Sequence, residues 1–338
     1  MNRVLIPLTM APPPSISTLA RIDSLAGANM GTNWSVKLVC PEHLSLPKIH
    51  AGIQRQLDQV VAQMSTWLET SDLSRFNRAA AGSWHPLPKE FFQVLDYALY
   101  VAQQSNGAYD PTVGPLVNLW GFGPDRTPGG TPAPAAISAA LARQGRHKLR
   151  LDRVQQRAWQ PGGVYIDLSS IAKGFGVDQV ANYLQTMGVP SYLVEVGGEL
   201  RGYGSKPDND PWWVALERPL PATPAGDGLA PQASIVALHE LSVATSGDYR
   251  RFFEQDGQRY SHTIDPRNGY PVRHTLASVT VLHSSCMIAD ALATAFTVLG
   301  AEEGMDYARR ENVAAHFASR TTQGFDERMS PAFEAMLE

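Results

Sequence analysis

The 338-residue sequence has few cysteines, no long apolar run and no block of charge of one sign. Its two cysteines, Cys40 and Cys286, exclude a disulfide framework and a zinc site built on several thiolates. No run of about 18 apolar residues occurs, so the sequence predicts no transmembrane helix. Lys and Arg number 28 against 32 Asp and Glu, a formal net charge of −4. This balance gives the chain no electrostatic reason to bind nucleic acid.

The N-terminus starts like a secretory signal, but Pro7 breaks its apolar run before the length of a signal core is reached. Cys40 follows a polar stretch and does not resemble a lipoprotein acceptor cysteine. The sequence therefore predicts a cytoplasmic protein. A periplasmic location is the alternative if the N-terminus is incomplete or processed.

The hydrophobic fraction of 43% is enough for a large core. We predict an irregular lead-in over 1–27 and one domain over 28–338, built as two packed lobes with a break near 124–160. Apolar residues spaced three and four apart predict helices over 53–68 and 91–101. Two further helices are predicted between strands, over 171–187 and 288–299. Alternating or β-branched segments predict strands over 31–39, 164–168, 191–196, 212–216, 234–238 and 277–282. Pro and Gly predict loops over 124–136 and 219–231.

These strands are partly in series and partly separated by helices. This order favours an α+β fold, with mixed and antiparallel sheets and packed helices, over a regular βαβ winding.

The segment DLSSIAKGFGVD at 167–178 carries the richest chemistry. A predicted strand ends at Asp167 and a helix begins near Ile171, so backbone N–H groups meet there in a site suited to phosphate. Lys173 adds a positive charge. The alternative is that Asp167 or Ser170 caps the helix and Lys173 is solvated.

A second candidate lies inside an apolar helix, where Asp290 and Thr294 are four residues apart and so project from one face. A carboxylate there is expensive to bury unless it is paired or binds a metal. One carboxylate, a hydroxyl, a main-chain carbonyl and substrate phosphates would form a Mg²⁺ shell. The alternative places Asp290 in the first turn, where the helix dipole favours it.

Two further segments are weaker signals. His262 has a side chain suited to proton transfer, but a lone histidine is also a common structural residue. The stretch SNGAYDPTVGP at 105–115 is a shaped loop whose main chain could bond a planar ligand, or a turn without function.

Together, seven segments in order closely resemble the ApbE family, and the resemblance runs from about residue 28 to about residue 300. The segments are MGT at 30–32, GAYDPT at 107–112, DLSSIAKG at 167–174, VGGE at 196–199, ATSGDY at 244–249, HTIDP at 262–266 and ADALAT at 289–294.

The resemblance implies an ApbE-like architecture, related to the T-fold, and an FAD:protein FMN transferase. Such enzymes transfer the FMN half of FAD to a threonine hydroxyl of a target flavoprotein, require Mg²⁺ and release AMP. The acceptor threonine lies in a short motif rich in Asp, Ser or Thr and small residues. An FAD pyrophosphatase, and an FAD-binding protein without turnover, are the alternatives.

The resemblance also implies roles for individual residues. His262 would be the general base. The metal would be held by Asp290, Thr294 and the carbonyl of Ser170. The FAD contacts would be Met30, Trp67, Ala108, Tyr109, Asp110, Asp167, Lys173 and Ile264. Glu199 departs from the family, in which aspartate is common after the Gly-Gly pair.

Overall fold

Strands and helices alternate irregularly along the chain in this computed structural model, which describes residues 3–8, 11–125, 130–219, 234–248, 252–255, 257–322 and 324–338. The strands are β1 (Arg3–Leu5), β2 (Ile22–Asn29), β3 (Thr32–Val39), β4 (Ser83–Pro86), β5 (Arg150–Asp152), β6 (Arg157–Gln160), β7 (Tyr192–Val196), β8 (Glu199–Tyr203), β9 (Trp212–Ala215), β10 (Ser234–Leu238), β11 (Leu241–Gly247), β12 (Phe252–Gln255), β13 (Gln258–Ser261), β14 (Leu276–His283), β15 (Ala314–Thr321) and β16 (Gly324–Met329). The helices are α1 (Leu46–Met64), α2 (Asp72–Asn77), α3 (Lys89–Gln104), α4 (Gly114–Leu119), α5 (Pro134–Arg143), α6 (Ala172–Thr186), α7 (Cys286–Arg310) and α8 (Pro331–Glu334), with a 3-10 turn at Arg146–Lys148.

A large sheet holds eight of these strands in the order β16-β15-β14-β11-β8-β7-β3-β2, and each neighbouring pair is antiparallel. A smaller sheet, β1-β10-β9, is mixed, because β1 runs parallel to β10. A third sheet, β4-β6-β5, and the pair β12-β13 are antiparallel. With the packed helices, this arrangement confirms the predicted α+β class.

Helix α6 packs between α1 and α7 and against the large sheet. The four-residue spacing of Ile49, Ile53 and Leu57 turns one face of α1 inward, and all three side chains are fully buried. They meet Val177 and Leu184 of α6 in one apolar cluster. Each such side chain contributes about 1.5–3 kcal/mol through burial. This packing fixes α6, whose N-terminus carries the richest sequence motif.

The four predicted helices are present, with shifted ends. Helix α1 begins seven residues before the predicted start at 53 and ends at Met64. Helix α3 extends the predicted 91–101 at both ends, and α6 matches 171–187 within a residue. Helix α7 is much longer than the predicted 288–299.

Five of the six predicted strands are present, as β3, β7, β9, β10 and β14. The strand predicted over 164–168 is wrong. Its backbone is bonded by other groups: the side chain of Asn77 bonds both the N–H and the carbonyl of Ile166, and the N–H of Asp167 donates to the carbonyl of Pro111 (2.8 Å). The β-rich composition of the segment reflects its burial.

The irregular lead-in over 1–27 is also wrong where β1 and β2 form. All eight residues of β2 pair with β3, although its small residues carry little strand propensity. The loop predicted over 124–136 is wrong at its end, because α5 starts at Pro134, where proline suits the first helical turn. Residues 126–129 of that loop and 220–231 of the loop predicted over 219–231 lie outside the described residues.

Helix α7 is broken at Gly300, whose φ of 81° and ψ of 177° are not helical. One turn before the break, the carbonyl of Thr297 accepts a hydrogen bond from Nε2 of His274 (2.6 Å), which satisfies one helix-end carbonyl. Among the residues described, α7 and every other helix lack the length or the apolar character needed to cross a membrane.

Candidate active site

The N-terminus of α6 follows a tight turn at 167–171. Oδ1 of Asp167 accepts from the N–H of Ser169 (2.7 Å), which shapes this turn. The residue at the helix cap is Ile171, which makes no side-chain capping bond. The interpretation of Asp167 or Ser170 as the cap is therefore wrong. The N–H groups of Ala172 and Phe175 donate to the carbonyls of Leu168 and Ile171, and that of Gly174 donates to a group from elsewhere in the fold.

Asp290 of α7 reaches one of these amides. Its Oδ2 accepts from the N–H of Gly174 at 2.9 Å, and its side chain is buried, with 4% exposed. Asp290 is the fifth residue of α7, so the alternative that places it in the first turn of its own helix is wrong. The positive end of a helix dipole that favours its charge is the N-terminus of α6. Burial raises the pKa of Asp290, and the charge of Lys173 opposes that rise.

The two helices touch at this point. A Cβ added to Gly174 would lie 2.3 Å from the carbonyl oxygen of Cys286 and 2.8 Å from Cβ of Asp290. Only glycine allows the backbone of α6 to approach α7 this closely. Glycine therefore brings Asp290 within hydrogen-bond reach of α6.

Thr294 follows Asp290 by one helical turn, and its Oγ1 lies 3.3 Å from Oγ of Ser246 on β11. Ser170, whose carbonyl is the third predicted metal ligand, donates from Oγ to the hydroxyl of Tyr109 (3.0 Å). Tyr109 is buried; burial raises its pKa, and the charges of Asp290, Asp167 and Asp110 add to the rise. Tyr109 therefore lies within electrostatic reach of three of the predicted site carboxylates.

Lys173 is not simply solvated, because its Nζ donates to Oε1 of Glu199 at the start of β8. Glu199 is 2% exposed, and within the part of the chain that the structure describes its Oε2 is buried without a hydrogen-bond partner. Burial raises the pKa of Glu199 to about 7; Lys173 opposes the rise and the charge of Asp290 adds to it. Sequence reasoning left the role of Glu199 open, since its only signal was the preceding Gly-Gly pair.

The loop at 105–115 is built around Asp110. Oδ1 of Asp110 accepts from the N–H (2.8 Å) and the hydroxyl (2.7 Å) of Thr112, and Oδ2 accepts from the N–H of Arg146 (3.1 Å). Asp110 therefore shapes the loop, and neighbouring Ala108 is buried within it. The bond from Asp167 to the carbonyl of Pro111 ties this loop to the α6 turn.

Met30 and Gly31 form the two-residue turn between β2 and β3, with φ of 52° and 69°. Such turns normally carry Asn or Gly, and a methionine at positive φ stores about 1–3 kcal/mol of strain. The side chain of Met30 lies over α6, where a Cβ added to Gly176 would be 2.9 Å from its Cε. The strained residue thus contacts the helix that carries the site.

The remaining candidates lie in other surroundings. Trp67 is 54% exposed, in the turn after α1. His262 makes an edge-on ring contact with Phe122 at 6.3 Å, and Ile264 packs in an apolar cluster with Leu116 and Trp120 around α4. Their roles stay predictions.

The predicted metal ligands Asp290, Thr294 and Ser170 fit a divalent cation that takes further ligands from water or a phosphate. In the described ranges, no group of three or more His, Cys, Asp or Glu side chains could hold a metal by itself. The carboxylate of Asp290, the hydroxyl of Thr294 and the carbonyl of Ser170 are hard oxygen donors of the kind that suits Mg²⁺. Mg²⁺ is commonly bound by one or two carboxylates with substrate phosphates completing the shell.

A model of the ApbE family matches residues 30–317 of the chain. The chain belongs to the ApbE family. It is 40% identical over 324 residues to the FAD:protein FMN transferase of Haemophilus influenzae, covering 94% of this chain and 92% of that protein. It is also 40% identical over 314 residues to the FAD:protein FMN transferase of Vibrio cholerae, covering 93% and 92%.

Solved structures of the family agree with the fold of this ApbE-family chain. The flavinyl transferase ApbE of Pseudomonas stutzeri, in its apo form, superposes with a TM-score of 0.85 at 40% identity, covering 94% of this chain and 97% of that one. The flavin transferase ApbE of Vibrio cholerae gives 0.86 at 38% identity, covering 94% and 100%. The resemblance predicted from the seven segments is confirmed.

Proposed function

We propose that this protein transfers the FMN half of FAD to a threonine hydroxyl of an acceptor flavoprotein, with Mg²⁺ at the Asp290 site and AMP as the second product. Transfer of FMN from FAD to a target protein is the activity for which its relatives are named. The observation that carries the site is the buried carboxylate of Asp290 at the N-terminus of α6, one turn from Thr294 and beside Lys173.

In this proposal the bond that forms joins the threonine oxygen to the phosphorus of the FMN half. The bond that breaks joins that phosphorus to the bridging oxygen, which leaves with AMP. His262 takes the threonine proton as general base. AMP is a good leaving group, so charge neutralisation on the diphosphate matters more than a strong acid.

Lys173 supplies part of that neutralisation. Its ammonium group is held by Glu199 at one end of the site, and 31% of its side chain is exposed, so it can reach a bound diphosphate. Asp290, Thr294 and the carbonyl of Ser170 would hold Mg²⁺, which when bound neutralises phosphate charge and orients the substrate.

Residues from several parts of the chain place the flavin nucleotide. We assign Met30, Ala108, Tyr109, Asp167 and Ile264 to contacts with FAD, together with Trp67. Asp110 acts by shaping the loop, since both of its carboxylate oxygens already accept hydrogen bonds from that region. A cytoplasmic location, with the periplasm as the alternative, stays a prediction.

The test uses the purified protein with FAD, Mg²⁺ and an acceptor domain that carries a threonine motif. We expect AMP release to match covalent flavin on the acceptor band of a denaturing gel. An acceptor with that threonine changed to valine, and the enzyme variant Asp290→Asn, are the matched controls, and both should lose the covalent flavin. AMP and free FMN without labelled acceptor would indicate a pyrophosphatase. No product with FAD bound would indicate a binding protein.

A further inference from the structure

Asp178 lies in α6, outside the motif residues assigned to the site, and bonds to the N-terminus of α7. Its Oδ2 accepts from the hydroxyl of Ser285 (2.7 Å) and the N–H of Met287 (3.0 Å), and its Oδ1 accepts from the N–H of Cys286 (3.0 Å). Asp178 is 7% exposed. A carboxylate that accepts several bonds from the first turn of a helix satisfies donors that the helix leaves open, and it is favoured by the helix dipole.

The bonds between α6 and α7 are therefore reciprocal. Asp178 of α6 accepts from the first amides of α7, and Asp290 of α7 accepts from the N–H of Gly174 in the first turn of α6. Each helix supplies the carboxylate that satisfies the start of the other. This exchange fixes both the separation and the axial register of the two helices.

The register matters because of where Asp290 stands. Asp178 accepts from the N–H of Cys286, and Asp290 follows Cys286 by four residues, which is one helical turn. The point of closest approach, at Gly174, also faces Cys286 and Asp290. A shift of the first turn of α7 would carry Asp290 and Thr294 with it, away from Gly174 and the first turn of α6.

A strand completes the arrangement. Arg201 of β8 forms an ion pair with Asp178, and its side chain is 19% exposed. Glu199, two residues earlier on the same strand and so on the same face, binds Lys173. Strand β8 thus holds α6 at two points, and α6 holds α7.

We infer that Asp178 is a positioning residue for the metal site: by holding the first turn of α7 it sets the place of Asp290 and Thr294. This inference rests on the proposed function, because it takes those two residues as metal ligands. It assigns Asp178 no contact with substrate or metal.

The test measures Mn²⁺ binding, as a probe for Mg²⁺, by relaxation enhancement of water protons in the full chain without FAD. We expect Asp178→Asn to raise the Mn²⁺ dissociation constant roughly 10- to 100-fold, the range found when a group that orients a metal ligand is lost. Amide exchange at Gly174 should also become faster relative to the amides of α3, because the bond to Asp290 loosens.

Glu327→Gln is the matched control, since it removes another partly buried carboxylate, on β16, that forms ion pairs with Arg3 and Arg218. It should lower thermal stability and leave Mn²⁺ affinity unchanged. If Asp178→Asn does not fold, Ser285→Ala carries the test. It removes the bond to Asp178 (2.7 Å) and a longer capping bond from the N–H of Ile288 (3.4 Å), and the loss of the first should raise the dissociation constant roughly fivefold.

The outcomes separate the two proposals. One outcome would overturn the positioning role alone. In it, Asp290→Asn loses Mn²⁺ binding, but Asp178→Asn, or Ser285→Ala where that variant is used, keeps the native affinity. Equal Mn²⁺ binding in the native protein and Asp290→Asn would overturn the metal site, and the positioning role with it.

Discussion

The buried carboxylate of Glu199 should make the stability of the fold depend on pH. Burial raises its pKa from 4.5 to about 7. Between these two values the folded protein keeps a proton that the unfolded chain has lost, so stability falls as the pH rises through this window. At about 1.4 kcal/mol per pH unit, the full fall is about 3 kcal/mol.

The perturbation that tests this is Glu199→Gln, because glutamine keeps the shape and does not titrate. Loss of the partner of Lys173 adds a cost that does not change over the window. The free energy of unfolding should be measured in urea for both proteins. The value for the variant should rise relative to that of the native protein by roughly 2–3 kcal/mol from about pH 5 to about pH 8.

Asp152→Asn is the control of opposite sign. A hydrogen bond from the backbone of Gln155 lowers the pKa of Asp152 below its ordinary 3.8. Its contribution to stability is present above that value and is lost only as the pH falls below it, so the difference from the native protein should be flat over the same window. A flat difference for Glu199→Gln as well, or one that favours the native protein as the pH rises, would refute the assignment of a proton to Glu199.

Three further results are expected. His262→Ala should slow single-turnover flavin transfer roughly 10²- to 10⁴-fold, and an unchanged rate would reduce His262 to a structural role. Lys173→Gln should lower kcat/KM for FAD roughly 10²- to 10³-fold by removing charge neutralisation, and a steady-state assay at saturating Mg²⁺ measures it. Gly174→Ala should lower the free energy of unfolding by roughly 1–3 kcal/mol, because the new Cβ meets a carbonyl of α7, whereas Gly176→Ala meets the flexible end of Met30 and should cost less in the same thermal melt.

The parts of the fold that could be predicted are those that a local pattern determines. The spacing of Ile53, Leu57 and Val60 requires a helix with one buried face, and the alternation of Trp34 and Val36 requires a strand. The ends of the elements were less accurate, because they depend on capping and on neighbours.

The errors occur where distant groups decide the structure. The segment 164–168 has a strand composition, but its backbone partners are Asn77 and Pro111, which no local pattern reveals. Strand β2 is the opposite case: its small residues do not predict a strand, but pairing with β3 makes it one.

The candidate site also has a part that the sequence indicates and a part that only the packed fold reveals. The order of the seven segments indicated Asp290, Thr294 and Lys173 as candidates. The bonds that organise them join residues far apart in the chain: Glu199 is 26 residues from Lys173, and Asp178 is 108 residues from Cys286. Such pairs become visible only when β8, α6 and α7 are packed together.

The break at Gly300 divides α7 into a front part, which carries Asp290 and Thr294, and a rear part that ends at Arg310. The non-helical backbone at Gly300 interrupts the rigid rod that would otherwise pass every displacement of the rear part to the front. The two parts can therefore run in different directions. The rear part follows the packing of Met305, Tyr307 and Ala308 in the main core, while the front part keeps its alignment with α6.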